Sequence, residues 1–403
     1  MTLVETYGDP ATENMLIHGD NLPALQALGR DYAGNIKCIY IDPPYNTGSS
    51  FEHYEDDIEH NVWLDQMATR LPLLRGLLSP DGVIFVHIDD KEMAYLRVMM
   101  DGVFGRANFL NTIVVKTSDP SGHKVVNPSP YAQTEYILMY AKDRRSYAWF
   151  TQYVPTGNDI MYNKIVANIE EDYSNWRVES LAGHYARLLG YSDIRSAKAA
   201  RGKLDFEADT WAFAVRNAHR VCQLTAISNL AGKAIVALRE ASKNAPGVLR
   251  LARPPLDDVY VLGGRQMYFL NAKIKTIDNA EVVARPLTNL WTDIPFNGIS
   301  YEGDVIFKNG KKPEKLLRRC IEMSTAPGDR VLDCYLGSGT TAAVAHKLGR
   351  RWIGIESGEH LLTHCLPRLR RVVDGTDESG VTKVTAWRGG GGFRVYKTDG
   401  SPA

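Results

Sequence analysis

The chain has 403 residues, more than one compact domain usually needs, so a core domain carrying an insertion or a second domain is expected. Hydrophobic residues at 44% and charged residues at 23% exclude a disordered or fibrous chain. Basic and acidic residues each number 47, so any nucleic-acid face must be a local patch rather than a consequence of net charge. No apolar run approaches the roughly 18 residues of a membrane span. The opening "MTLVETYGDPATEN" lacks the basic and apolar regions of a signal peptide. The five cysteines, Cys38, Cys222, Cys320, Cys334 and Cys365, form no C-x-x-C pair and read as buried thiols. A cytoplasmic protein with no membrane contact and no metal site is expected.

From Met15 to about Ala141, strand-like runs ("MLIHGD", "IKCIYID", "GVIFVHIDD", "FLNTIVVK", "TEYILMYAK") alternate with helical patterns, which predicts an α/β sheet. Trp63, Met67, Leu71, Leu74 and Leu78 have the spacing of a buried helix face, with Pro72 inside it and "SPDG" at its end. The second run ends in "YIDPPYNTG", Tyr40 to Gly48. Two adjacent prolines stop a ladder because neither has an N–H to give. "VVKTSDPSGHKVVNPSP" reads as a loop near the same edge, and "SSFEHYEDD" as a segment able to close over it.

About 140 residues of different character follow, helical in pattern from about Asn158 to Ser242 and rich in Tyr, Trp and Arg. Near their end, "DVYVLGGRQMYFLNAK" predicts a hairpin about Gly263 and Gly264. The α/β pattern returns near Lys315 with "EKLLRRCIEMSTAPGD" and "RVLDCYLGSGTTAAVAHKLGRRWIGIE", a succession of strand, glycine turn, helix and strand. In the tail "WRGGGGFRVYK", Phe393, Val395 and Tyr396 suggest a short strand after a glycine turn.

Two motifs carry chemistry. Gly337 and Gly339 lie between a strand and a helix, where a ligand can approach the backbone and a helix N-terminus offers N–H groups to an anion. Glu356, at the end of the next strand, is placed to accept from two ribose hydroxyls. Gly-x-Gly-x-x-Gly spacing and a phosphate-binding P-loop are both missing from the sequence, which disfavours dinucleotides and ATP hydrolysis. In the other motif, the Asp42 carboxylate and the Pro43 carbonyl are adjacent acceptors. Together they could take both N–H groups of an exocyclic amine and free its lone pair for attack. Prolines withhold competing donors, and Tyr45 can stack on a base at about 1–3 kcal/mol. A plain structural turn is the alternative at each place.

Together these segments resemble the adenine-N6-specific DNA methyltransferases of the circularly permuted β class, most nearly the modification subunits of type III restriction-modification systems. The resemblance covers roughly two-thirds of the chain. It implies a Rossmann-like, S-adenosylmethionine-dependent methyltransferase fold with a mostly parallel seven-stranded sheet and an inserted target-recognition domain. The implied layout is 1–145 for the catalytic half, 146–285 for target recognition and 286–403 for the cofactor half.

By the same resemblance Asp42, Pro43, Pro44 and Tyr45 form the catalytic loop. Asp333, Tyr335, Gly337, Gly339 and Thr340 line the S-adenosylmethionine site, with Glu356 on the ribose and Asp20 near the cofactor adenine. Lys312 and Pro313 match the segment preceding the cofactor strand, and Tyr335 stands where the family usually has Phe. The implied function is methylation of N6 of a flipped adenine in a specific sequence of double-stranded DNA. Cytosine N4, or a non-catalytic recognition subunit, is the alternative. Implied partners are a second copy in a homodimer and a restriction subunit.

Basic clusters occur at Lys308, Lys311, Lys312, Lys315, Arg318 and Arg319, and at Arg195, Lys198, Arg201 and Lys203. The second, with Lys124 in the loop after "TIVVK", is the candidate phosphate contact. His360, His364 and Cys365 have a spacing that could bind metal, though ordinary helix roles are expected for them.

Overall fold

The computed structural model describes residues 1–46, 58–119, 130–307 and 310–398. Thr47, Gly48, the segment "SSFEHYEDD", Lys124 and Lys308 lie outside the described residues. Two compact units result, one made of 1–152 and 288–403, the other of 153–287.

Among the described residues the first unit holds ten strands: β1 (Thr2–Gly8), β2 (Met15–His18), β3 (Ile36–Ile41), β4 (Leu78–Ile88), β5 (Phe109–Lys116), β6 (Thr134–Ala141), β7 (Leu290–Trp291), β8 (Arg330–Asp333), β9 (Arg351–Glu356) and β10 (Gly392–Lys397). They form one sheet in the order β1, β10, β2, β9, β8, β3, β4, β6, β5, β7. The six neighbours from β10 to β4 are all parallel, whereas β1 and β6 run against theirs. The sheet therefore extends the seven strands expected from sequence: β1, the two-residue β7 and the tail strand β10 add to them. Central strands are buried along nearly their whole length, as parallel strands covered on both faces must be.

Helices α1 (Asn21–Asp31), α2 (His60–Leu77) and α3 (Asp90–Met100) share one core with the sheet, in which Trp63, Met67, Leu71 and Leu74 meet Ile41, Leu332 and Ile353. Leu77 completes the buried face of α2. Leu78, expected on that face, instead begins β4. The other face takes α4 (Glu314–Glu322), α5 (Thr340–Lys347) and α6 (Leu366–Asp374), where the Trp352 indole N–H reaches His346 Nδ1 at 3.1 Å.

One consequence of strand order positions the site. From β8 the chain crosses to β9 on one side, and from β3 to β4 on the other. The reversal lies between β8 and β3, paired in parallel with Val331 opposite Cys38 and Leu332 opposite Ile39. In open α/β sheets, the crevice beyond the carboxyl ends of such strands is where ligands bind.

The second unit is mixed rather than helical. Strands 164–166, 178–180 and 221–226 interrupt the helices expected between Asn158 and Ser242, and join 249–253, 256–262 and 265–269 in a six-stranded antiparallel sheet. The first two of these strands have three residues each, too few for an alternation to show. The hairpin at Gly263 and Gly264 forms with φ of 56° and 76°, the two positive values a tight two-residue turn demands.

Candidate active site

Asp42 to Tyr45 leave the sheet directly after β3. Trp63 of α2 donates its indole N–H to the Pro44 carbonyl at 2.8 Å, tying the loop to the helix that follows it. Among the described residues no group donates to the Pro43 carbonyl. Asn46 adopts a left-handed φ of 58°, and its side chain donates to buried Glu92 at 2.8 Å and accepts from the Ile58 N–H at 3.0 Å. The loop is thus held at both ends.

Asp42 has unequal oxygens. Oδ2 lies 3.2 Å from Lys312 Nζ, while Oδ1 is buried with no hydrogen-bond partner among the described residues. Leaving a buried carboxylate oxygen unpaired is costly unless a ligand supplies the donor.

Lys312 also lies 3.5 Å from Glu135 Oε2 and 4.7 Å from the centre of the Tyr45 ring. Tyr45 Oη donates to Glu135 Oε2 at 2.9 Å. His87 Nε2 approaches that oxygen to 2.9 Å, at ion-pair distance rather than as a well-aligned hydrogen bond, and Nδ1 meets Tyr40 Oη at 2.8 Å. Topology explains the assembly. Because β6 runs antiparallel to β4, its first residues reach the carboxyl end of the sheet. Lys312 arrives there because α4, the helix before β8, starts at that end.

Burial opposes ionisation of Glu135, but Lys312 and the contacts from His87 and Tyr45 outweigh it and hold the carboxyl well below the usual range. Burial likewise opposes the charge on Lys312, and Asp42 and Glu135 reverse that, raising its pKa. Tyr45 is pushed well up by burial and by the same two carboxylates, so its hydroxyl stays protonated.

On the expected cofactor side, Gly337 and Gly339 take φ of 55° and 81°, values that L side chains rarely adopt. The Gly337 N–H donates to Glu356 Oε2 at 2.8 Å, and the N–H groups of Ser357 and Gly358 donate to Oε1 at 2.9 and 3.0 Å. Burial would raise the Glu356 pKa, but His360 and these N–H groups lower it. Asp333, buried at the end of β8, accepts from Thr341 Oγ1 at 2.5 Å and from the Tyr335 N–H at 2.9 Å. Burial pushes its pKa up to about 7 despite those donors, helped by the charges of Asp42 and Glu356.

Asp20 caps α1 by accepting from the Leu22 N–H at 2.7 Å; its side chain is largely exposed, 3.5 Å from Arg70. Asn21, next to it, donates to the Cys334 carbonyl at 2.9 Å and so joins the turn after β2 to the turn after β8. Tyr335 is partly buried and reaches Met67 Sδ at 3.7 Å. The Thr340 hydroxyl is buried and accepts from Arg368 Nη1 at 2.8 Å.

Lys312, placed by resemblance with the cofactor segment, contacts Asp42, Glu135 and Tyr45; Pro313 beside it is the N-cap residue of α4. Other members of the basic cluster around it are engaged within the protein. Lys311 is buried against the carbonyls of Ser300, Glu302 and Val305; Lys315 and Arg319 pair with Asp293, and Arg318 with Glu322. In the other cluster, Lys198 is paired with Glu207 and Arg201 with Asp209, while Arg195 and Lys203 are exposed.

His360, His364 and Cys365 face different partners: Glu356 Oε1 at 3.4 Å, the Ile306 carbonyl at 3.1 Å and the Gly337 carbonyl at 2.8 Å. Glu135, His87, Asn21, Arg70 and Arg368 were not marked by the sequence. For Glu135 the available signal was an acid inside the otherwise apolar "TEYILMYA".

A parallel sheet reversing between β8 and β3, with a glycine turn after one strand and an acid-proline-proline loop after the other, defines a methyltransferase-like α/β architecture. Residues 36–365 match the family model described as DNA methylase (N6_N4_Mtase), and the chain belongs to that family. It is 36% identical over 416 residues to a Haemophilus influenzae protein named "Probable type III restriction-modification enzyme HindVI Mod subunit", covering 96% of this chain and 54% of that one. The Salmonella typhimurium StyLTI Mod subunit, also named as type III, is 28% identical, covering 82% of this chain and 49% of its own length. The chain thus spans about half the length of these curated relatives. Among solved structures, the cytosine-N4-specific PvuII DNA methyltransferase is 14% identical, covering 94% of this chain and 92% of that one. Its TM-score of 0.43 is too low to bear on function.

Proposed function

We propose that this chain transfers a methyl group from S-adenosylmethionine to N6 of an adenine flipped out of duplex DNA, at a sequence read by residues 153–287, within a restriction-modification system. The observation that carries this is Asp42, whose Oδ2 is held by Lys312 while buried Oδ1 lacks a donor among the described residues. Oδ1 and the Pro43 carbonyl accept the two N–H groups of the amine, and the Tyr45 ring stacks on the base. The amine nitrogen then moves toward tetrahedral geometry, with its lone pair free to attack.

When bound, S-adenosylmethionine supplies the electrophilic methyl. The residues present suit it. Gly337 and Gly339 allow close approach of the backbone, and the buried Asp333 carboxyl gains most from a cationic group. Glu356, Tyr335, Thr340 and Asp20 complete that side. The names of the curated relatives, each a subunit of a restriction-modification enzyme, support that setting and a restriction subunit as partner; a second copy of this chain as partner rests on the sequence resemblance alone.

Purified protein incubated with methyl-labelled S-adenosylmethionine and unmethylated duplex DNA should label the DNA, and Asp42→Ala should not. Unlabelled DNA that the wild-type protein nevertheless binds would reduce the chain to a recognition subunit.

A further inference from the structure

Three largely buried charges meet at the end of β3: Asp42, Lys312 and Glu135, with side chains 18%, 10% and 20% exposed. Taking charges out of water is expensive, and such clusters are weak devices for stability. One member nevertheless keeps a buried oxygen without a donor. A carboxylate can otherwise exchange its two oxygens by turning about its terminal bond, a soft torsion. The contact with Lys312 selects one of the two orientations.

We propose that Lys312, backed by Glu135, is a positioning residue that fixes the Asp42 carboxylate with Oδ1 toward the substrate amine. This rests on the transferase reading above and moves Lys312 out of the cofactor site. Glu135 has two tasks in it. It gives the Lys312 ammonium a second carboxylate contact that fixes its position, and it ties Lys312 to Tyr45 by accepting from the Tyr45 hydroxyl, so that acid and stacking ring move together. Behind Glu135, Tyr40 meets His87 Nδ1, and His87 Nε2 approaches the carboxylate.

Among the described residues, Lys312 lies against Asp42; Tyr40, Tyr45 and Asp333 feel the Asp42 charge; and Glu135 is joined to Asp42 through Lys312. Because buried Asp333 is mostly protonated below about pH 7, removing the cation by Lys312→Met leaves the Glu135 carboxylate as the charged neighbour of Asp42. Its ionised form is then disfavoured, and the acid limb of kcat against pH should move up by about one unit or more. Glu135→Gln added to Lys312→Met removes that carboxylate and should return at least half of that shift. Affinity for S-adenosylmethionine, measured by calorimetry, should stay within about threefold in both variants, because the positioning acts on kcat rather than on ground-state binding.

An unmoved acid limb in Lys312→Met, or a double variant indistinguishable from it, would overturn the proposal. So would a collapse of cofactor affinity with the limb in place, which would return Lys312 to the cofactor side. The titration can also be read without turnover, from the carboxyl 13C resonance of Asp42 identified by its loss in Asp42→Asn. An inactive wild-type protein would therefore sink the transferase reading and still leave the positioning role open to test.

Discussion

At the scale of single residues, the two motifs divide the labour, and substitutions should separate them. Asp42→Ala removes an acceptor that the reading uses only for the amine, so transfer should fall by at least about a thousandfold with cofactor affinity nearly unchanged. Glu356→Ala should do the converse. Its carboxylate joins the glycine turn, through the Gly337 N–H, to the turn after β9, through those of Ser357 and Gly358, so affinity for S-adenosylmethionine, measured by calorimetry, should weaken by about tenfold or more before kcat suffers.

Asp333 adds a pH dependence whose sign follows from its raised pKa. Unfolded, it titrates near 3.9; folded, near 7. Its contribution to stability is therefore full below about pH 4 and is lost as pH rises through about 7, because the unfolded chain releases the proton first. Urea unfolding at pH 5 and pH 8 should show a larger loss in the wild-type protein than in Asp333→Asn. An equal loss in both would contradict the burial argument.

Legibility at this scale was uneven. Asp42, Tyr45, Gly337 and Glu356 follow strands directly and were visible from that position. Glu135 lies 90 residues from Tyr45 and is brought to it only by the antiparallel turn of β6, which no local spacing encodes. Lys312 was visible as a matching residue but not as a neighbour of Asp42.

Among elements, the glycine turn is braced by helices α4, α5 and α6 through buried ion pairs. Arg368 of α6 donates to the Ser338 carbonyl at 3.2 Å and to Thr340, and its other nitrogen meets Glu314 of α4 at 2.7 Å. Glu314 also pairs with Lys347 of α5 at 2.9 Å, and Lys347 with Asp377 at 2.7 Å. All four side chains are fully buried, two cations against two anions. Breaking such a set from one side strands a charge. Lys347→Met should therefore cost about 3–5 kcal/mol in urea unfolding and loosen the turn that α5 follows. A loss below about 1 kcal/mol would mean that water reaches the cluster. The sequence displayed α4 and α5 as helices, but it could not show that charged residues on both would face inward, since an isolated pattern assigns Lys and Glu to solvent.

For the whole molecule, the strand reversal between β8 and β3 places both motifs at one edge, and the intervening 153–287 folds as a separate unit. Its basic residues are not equivalent. Lys198 and Arg201 are already paired with acids, leaving Arg195 and Lys203 exposed for phosphate. Arg195→Ala with Lys203→Ala should lower the slope of log affinity against log salt by about two, and Lys198→Ala with Arg201→Ala by less than one. Filter binding across a salt series distinguishes them.

Which atom receives the methyl group decides between adenine and cytosine as the target. Duplex DNA lacking base methylation, treated with the wild-type protein and labelled S-adenosylmethionine and then hydrolysed to nucleosides, should carry its label in N6-methyldeoxyadenosine. Label in N4-methyldeoxycytidine would contradict the account.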